Sequence, residues 1–177
     1  MKTFRQYIEF IDDKSKLLEL KVLDKLNELG LEYFIYEHPP LRTVEESKAL
    51  RGEMHGGHTK NLFLRDKKKK NYLITVNENQ EIDLKFLESE LSSGRLSFGS
   101  PERLSQFLGV KPGAVSPLAL LNDKHNDVSF FIDHNLLNEN ILNFHPLVNH
   151  LTVSIKVSDF KYFLKSQNKF YNEIYFF

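Results

Sequence analysis

Residues 52 to 61 read Gly52-Glu53-Met54-His55-Gly56-Gly57-His58-Thr59-Lys60-Asn61, imidazole, hydroxyl, ammonium and amide groups gathered round a glycine pair just ahead of an apolar run. Glycine admits positive φ and lets backbone come close to a ligand, and Lys60 adds a full charge with three donors. Such a group suits a phosphate or a developing oxyanion. The spacing is not that of a Walker loop, which ends in Lys-Ser/Thr, so a nucleoside triphosphate is a poor fit. The alternative is a surface lysine that merely begins a strand.

Two further stretches carry polar chemistry. Gly109-Val110-Lys111-Pro112-Gly113-Ala114-Val115-Ser116-Pro117 can present backbone groups inward, with small Ala114 and Ser116 leaving room beside them, or it can be a plain helix-to-strand connector. Asn143-Phe144-His145-Pro146 places a histidine before proline, hence in extended backbone, where its ring either enters a cleft or is structural. His55, His58 and His145 together raise the question of zinc, but no HExxH helix and no cysteine accompany them, so no metal site is expected. Covalent serine catalysis is disfavoured as well, because Pro117 removes the amide that would follow Ser116 in a nucleophile elbow.

The elements that must position these residues follow from periodicity and punctuation. Leu17, Leu18, Val22, Leu26 and Leu29 recur at helical spacing before Gly30, and the aromatic stretch from Glu32 to Glu37 reads as a strand ended by His38-Pro39-Pro40. Thr43-Val44-Glu45-Glu46 has the capping-box form and opens a helix to Leu50, closed by Arg51-Gly52. Asn61–Arg65 and Tyr72–Val76 form a hairpin whose tip holds Lys67, Lys68, Lys69 and Lys70, either a solvated turn or a contact for phosphates. Asp83–Leu91 reads as a helix and Arg95–Phe98 as a strand. Ser100-Pro101-Glu102 starts a helix that runs to Leu108-Gly109. Leu118–Leu121 and Val128–Ile132 read as a second hairpin, Leu151–Ile155 as a strand, Ser158 as the cap of a helix through Leu164, and Phe170–Phe177 as a last strand. Adjacent hairpins with scattered helices predict an α/β domain with a mixed sheet and helices packed round it.

Composition narrows the function. The 177 residues are the size of one domain; hydrophobic residues make up 41% and charged residues 27%, as in an ordinary globular protein. No run is apolar enough to span a membrane, and the N-terminus is too acidic for a secretory signal, so the expected location is the cytoplasm. The chain has no cysteine, which excludes thiolate chemistry and disulfide scaffolds. Its 24 Lys+Arg balance 24 Asp+Glu, so any nucleic-acid contact must come from a local patch.

Taken in order, Glu37-His38-Pro39-Pro40, Thr43-Val44-Glu45-Glu46, the Gly56–Leu64 string, Leu96–Glu102, Gly113–Pro117, Leu121-Asn122-Asp123 and Asn143–Leu147 resemble the YbaK/prolyl-tRNA-synthetase-associated domain family, in particular its free-standing Ala-tRNA(Pro) deacylases. The likeness runs from about Leu23 to the C-terminus, leaving residues 1–22 as an N-terminal helical segment packed on a domain of residues 23–177. It implies a single α/β domain with a mixed, barrel-like sheet surrounded by helices. The implied activity is trans-editing: hydrolysis of the ester of mischarged Ala-tRNA(Pro), without cofactor, metal or covalent protein intermediate, assisted by the tRNA's own ribose hydroxyl.

By the same resemblance Lys60, Asn61, Gly113 and His145 are the catalytic candidates. Gly56, Gly57, His58, Thr59, Ala114, Val115, Ser116 and Pro117 would bind substrate, and Lys67–Lys70 would touch the tRNA backbone. The implied partner is tRNA(Pro) at its acceptor stem and 3′ end, with prolyl-tRNA synthetase as a second candidate and no membrane. Departures are His55, where relatives often have proline, and the N-terminal extension. The competing readings are a noncatalytic tRNA-binding module of the same fold and a deacylase for Ser- or Cys-tRNA.

Overall fold

A computed structural model of the chain describes residues 13–40, 43–50 and 54–176. The first helix, α1 (Asp13–Glu28), buries Val22 and Leu26 completely, and Gly30 stops it at φ +66°. There the Leu31 amide returns to the Leu26 carbonyl at 3.0 Å, the left-handed ending that glycine adopts without a Cβ clash. Strand β1 (Tyr33–Glu37) follows, then α2 (Val44–Leu50), whose start is capped by Thr43 Oγ1 accepting from the Glu46 amide at 3.2 Å. The expected Arg51-Gly52 stop lies outside the described residues.

The hairpin is longer than its apolar residues suggest. β2 (Gly57–Asp66) and β3 (Asn71–Asn77) pair antiparallel, so His58, Thr59 and Lys60 lie inside a strand and not in a loop ahead of it. Next come α3 (Leu84–Glu90), β4 (Leu96–Phe98) and α4 (Pro101–Leu108), with Asp83 and Ser100 as caps. Leu118–Leu121, expected as a strand, instead belongs to a 3-10 turn over Pro117–Asn122. Ser116 Oγ caps that turn by accepting from the Leu118 amide at 3.2 Å, and residues 117–121 are all buried. The run is apolar throughout, so its periodicity could not separate strand from turn.

β5 (Val128–Asp133) therefore has no hairpin partner before it and pairs parallel to β3. A second 3-10 turn (His134–Asn138) leads to β6 (Ile141–Phe144), a strand that no sequence pattern marks, and then to β7 (Leu151–Lys156). Helix α5 (Val157–Ser166) starts directly after Lys156 with no side-chain cap, so Ser158 lies inside it and does not open it. β8 (Tyr171–Ile174) closes the order.

The strands form one eight-stranded mixed sheet in the order β1-β7-β6-β2-β3-β5-β8, with β4 on β2. One face carries Phe63, Leu73, Phe130, Phe144, Val153 and Ile155 under α1, α4 and α5. On the other, Leu64, Tyr72, Ile74 and Val76 meet Leu87 of α3. Toward β6, β7 and β1 this second face turns polar, with Asn143, Ser154 and Thr152 replacing the aliphatics. His58 and Lys60 lie on the same face. No helix among the described residues is long and apolar enough to cross a membrane.

Candidate active site

The start of β2 is fastened to β6. His58 stands beside Asn143 in parallel register, and Asn143 Nδ2 donates to the carbonyls of His55 at 2.9 Å and Gly57 at 3.3 Å. Thr59 Oγ1 donates to the Asn143 carbonyl at 2.9 Å, while Ser154 Oγ donates to Asn143 Oδ1. Asn143 is only 4% exposed, so this amide joins three strands with its donors and acceptor satisfied. The glycine pair is required by the same junction. Gly56 has φ +97°, and a Cβ there would stand 2.7 Å from the Ile141 carbonyl; a Cβ on Gly57 would stand 2.9 Å from Leu142. Close packing on β6 thus explains glycine here without any ligand.

Alternation along β2 separates the two neighbours singled out above. Lys60 pairs with Val76 and shares its face with His58 and Leu62, whereas Asn61 pairs with Thr75 and faces the main core. Asn61 Oδ1 accepts from Thr75 Oγ1 at 2.6 Å, which pins the hairpin. Lys60 is half-buried, and its ammonium has no ion-pair partner among the described residues. Desolvated in part and without a described ion-pair partner, it suits an anionic or strongly polar group.

His145 lies two residues beyond Asn143, its Nδ1–H donating to the Leu151 carbonyl at 2.7 Å. A carbonyl can only accept, so Nε2 carries the free lone pair. Burial holds this imidazole down to a pKa of about 4, and it is neutral near pH 7. Its ring centroid is 5.8 Å from that of His38, which donates from Nδ1 to the Pro39 carbonyl at 3.0 Å and accepts at Nε2 from Thr152 Oγ1 at 2.9 Å. His38 is likewise held below the ordinary histidine value, chiefly by burial. Thr152 and Ser154 escape notice in the sequence, and His38 stands there only as part of a strand-ending motif, because nothing marks a β7 hydroxyl as facing a histidine more than 100 positions away.

The second loop goes elsewhere. Gly113 has φ +88°, the Ala114 amide is spent on the Lys111 carbonyl at 3.1 Å, and Ser116 is fully buried as the cap already described. Ala114 lines a cleft of about 520 Å³ with Leu18, Gly109, Pro112, Leu147 and His150. His150 Nε2 meets Glu19 of α1 at 3.1 Å, so the N-terminal helix forms part of this cleft. Val115 is half-buried and Pro117 buried. The described contacts bring the β2 start together with Asn143, two residues before His145, and the Gly113 loop together with residues 147–150, but they place no bond between Lys60 and the Gly113 loop.

Among the described residues no group of three His, Asp or Glu side chains is arranged for a metal. His58 Nε2 is engaged with the Met54 carbonyl at 2.8 Å, and His55 is exposed. The lysines Lys67–Lys70 are all exposed on a tip shaped by Asp66, whose Oδ1 accepts from the Lys70 amide at 2.9 Å. Leu121-Asn122-Asp123 is scaffold: Asn122 Nδ2 ties to the Leu108 carbonyl at 2.9 Å, and Asp123 accepts from the amides of Asp127 and Val128.

Comparison with known proteins agrees with this architecture. Prolyl-tRNA editing protein ProX of Acetoanaerobium sticklandii is 37% identical over 154 residues, covering 86% of this chain and 94% of that protein. Prolyl-tRNA synthetase associated domain-containing protein 1 of Mus musculus is 36% identical over 155 residues, covering 84% and 90%. A solved structure proposed to be a trans-editing enzyme for prolyl tRNA synthetase shares the fold at TM-score 0.66 and 19% identity, covering 92% of this chain and 97% of that one. Residues 38–163 match the aminoacyl-tRNA editing domain, and the chain belongs to that family.

Proposed function

We propose that the chain is a free-standing prolyl-tRNA editing enzyme that hydrolyses the aminoacyl ester of mischarged Ala-tRNA(Pro), releasing alanine and tRNA(Pro). The observation that carries this reading is the half-buried Lys60, without an ion-pair partner among the described residues, on the strand that is fastened to β6 at Asn143, two residues before the neutral His145. Both relatives are named for prolyl-tRNA editing or for the domain associated with its synthetase.

Water adds to the ester carbonyl, the carbonyl oxygen takes up negative charge, and the bond to the ribose oxygen breaks as that oxygen regains a proton. A positioned cation beside the developing oxyanion lowers this barrier by several kcal/mol, roughly two to three orders of magnitude in rate. Lys60 is assigned that role, and His145 Nε2 accepts a hydrogen bond from the attacking water or a ribose hydroxyl. Gly56–Thr59 hold the strand start in place, and Asn61 acts through Thr75 as a positioning residue. Of the Gly113–Pro117 loop, small Ala114, which lines the cleft beside Leu147 and His150, is assigned to the aminoacyl side chain.

Alanine is smaller than proline, so a pocket closed to the pyrrolidine ring admits the error and spares the correct product. A panel of Ala-, Pro-, Ser- and Cys-charged tRNAs tests the assignment. Turnover of Ala-tRNA(Pro) with Pro-tRNA(Pro) intact is the expected result. Equal hydrolysis of both sinks the steric sieve, preference for Ser- or Cys-tRNA moves the substrate, and binding without turnover makes the chain a noncatalytic module.

A further inference from the structure

The face that carries Lys60 extends past the hairpin. In register, His58 stands beside Asn143, Asn143 beside Ser154, and Ser154 beside Phe34, one row running from β2 through β6 and β7 to the edge strand β1. The next row on this face holds Lys60 on β2 and ends with Thr152 beside Tyr36. Its middle is polar and buried, while its far end is aromatic and open. Phe34 is 68% exposed and Tyr36 36% exposed. A cleft of about 700 Å³ opens next to Phe34, bounded by Leu31, Ile141, Ser154 and Lys156.

We propose that Phe34, with Tyr36 beside it, is a stacking platform for an unpaired base near the tRNA 3′ end, upstream of the adenosine whose ester lies at Lys60. The inference rests on the editing function proposed above and names how the same site holds its substrate strand. Three strand spacings separate β1 from β2, about 14 Å, a span that two nucleotides of extended, unstacked single strand cross. Every base offers a π-face, and aromatic side chains on a sheet are the usual partners of unpaired bases.

Charge fits the same occupant. Cations stand at both ends of this strip, Lys60 at one and Lys156 at the other; its acids are Glu78, buried beside His58, and Glu32, which pairs with Lys156 at 2.9 Å. That pair is open to water, with side chains 58% and 82% exposed, so exchange of Glu32 for a phosphate oxygen costs little. Folding does not account for the Phe34 ring. An exposed aromatic on an edge strand invites unwanted pairing, and the competing occupant is a second copy of the chain aligned along β1.

The test uses an uncharged RNA minihelix ending in four unpaired 3′ nucleotides, with 2-aminopurine replacing in turn each of the two before the terminal adenosine, and a blunt helix as control. Wild-type protein is expected to quench one of the two probes. Phe34→Ala raises Kd for the tailed helix at least about fivefold and abolishes the quench, leaves blunt-helix binding and the salt slope unchanged, and Phe34→Trp restores both affinity and quench. Equal Kd and quench for wild type and Phe34→Ala overturn the platform. So does an equal loss on the blunt helix, or a wild-type dimer in sedimentation that Phe34→Ala dissociates without changing RNA affinity. Because the RNA carries no amino acid, the platform can fail while deacylation stands, and deacylation can fail while the platform stands.

Discussion

Two lysine-bearing regions share the β2–β3 hairpin and present opposite situations. Lys60 is half-buried within β2, on a face with His58, and its ammonium has no ion-pair partner among the described residues. Lys67–Lys70, one strand length away at the tip, are exposed. A rise of about 3.3 Å per residue puts the tip more than 20 Å from Lys60, so a substrate that reaches both must be extended. The same side chain can therefore supply local field strength at one place and diffuse attraction at the other. Burial decides which, because a charge partly stripped of water interacts far more strongly with a neighbour than one surrounded by it.

The largest expected effect comes from the buried end. Lys60→Ala is expected to reduce kcat/KM for deacylation by roughly two to three orders of magnitude while the urea midpoint changes little. Lys60→Arg keeps the charge on a planar, bulkier group, and activity is expected to remain impaired. Steady-state rates with unfolding curves for both variants check this. If alanine leaves turnover near wild type, the contrast with the tip disappears, and full rescue by arginine would make Lys60 a general contact to RNA.

The neighbouring histidine sharpens the contrast through pH. His145 has a folded pKa of about 4, well below the ordinary 6.5, so the folded state favours the neutral ring. Its contribution to stability is complete above pH 6.5 and is lost as pH falls toward 4, because the unfolded chain takes up a proton that the folded one refuses. The loss amounts to up to roughly 3 kcal/mol. His38 is shifted the same way. His145→Asn retains an N–H to meet the Leu151 carbonyl but cannot titrate. Its urea midpoint is expected to fall less steeply than that of wild type between pH 6.5 and 4.5, and an unchanged slope would show that the ring is not desolvated.

Much of the scaffold is legible in the sequence because it depends on local chemistry. Gly30 marks a helix end through its own backbone, Thr43 and the Ser100-Pro101 pair mark helix starts through a side-chain cap and a ring that fixes φ, and all of them do so in the fold. What could not be read depends on distant partners. Pro117–Leu121 is apolar on every side because it is enclosed by the core, which erases its period. β6 is only four residues long and contains Asn143, a residue that suggests a loop until Ser154 and the carbonyls of His55 and Gly57 occupy it. Gly56 and Gly57 stand out by type, but the reason for them lies across the sheet in Ile141 and Leu142. Lys60 is legible as a candidate and Asn61 as its neighbour, yet strand alternation sends them to opposite faces, which follows only once β2 is known to begin at Gly57.

The smallest expected effect is at the tip. Asp66 Oδ1 accepts from the Lys70 amide, Tyr72 donates from its hydroxyl to Asp66 Oδ2 at 3.2 Å, and the turn places Lys69 at φ +68°; its shape therefore depends on Asp66 and not on the lysine side chains. Replacing Lys67, Lys68, Lys69 and Lys70 together by serine is thus expected to leave the fold intact and the single-turnover rate at saturating protein unchanged. If these ammonium groups meet acceptor-stem phosphates, every phosphate no longer neutralised takes about one unit off the slope of log affinity against log salt, and binding to tRNA weakens at low salt more than at high salt. Phosphate contacts do not read sequence, so the weakening is expected to be the same for tRNA(Pro) and for an unrelated tRNA. Titrations of both RNAs across a salt series measure this. An unchanged slope makes the four lysines a solvated turn and leaves Lys60, Lys156 and the sheet face between them to hold the RNA, whereas a weakening confined to tRNA(Pro) would mean that the tip reads more than charge.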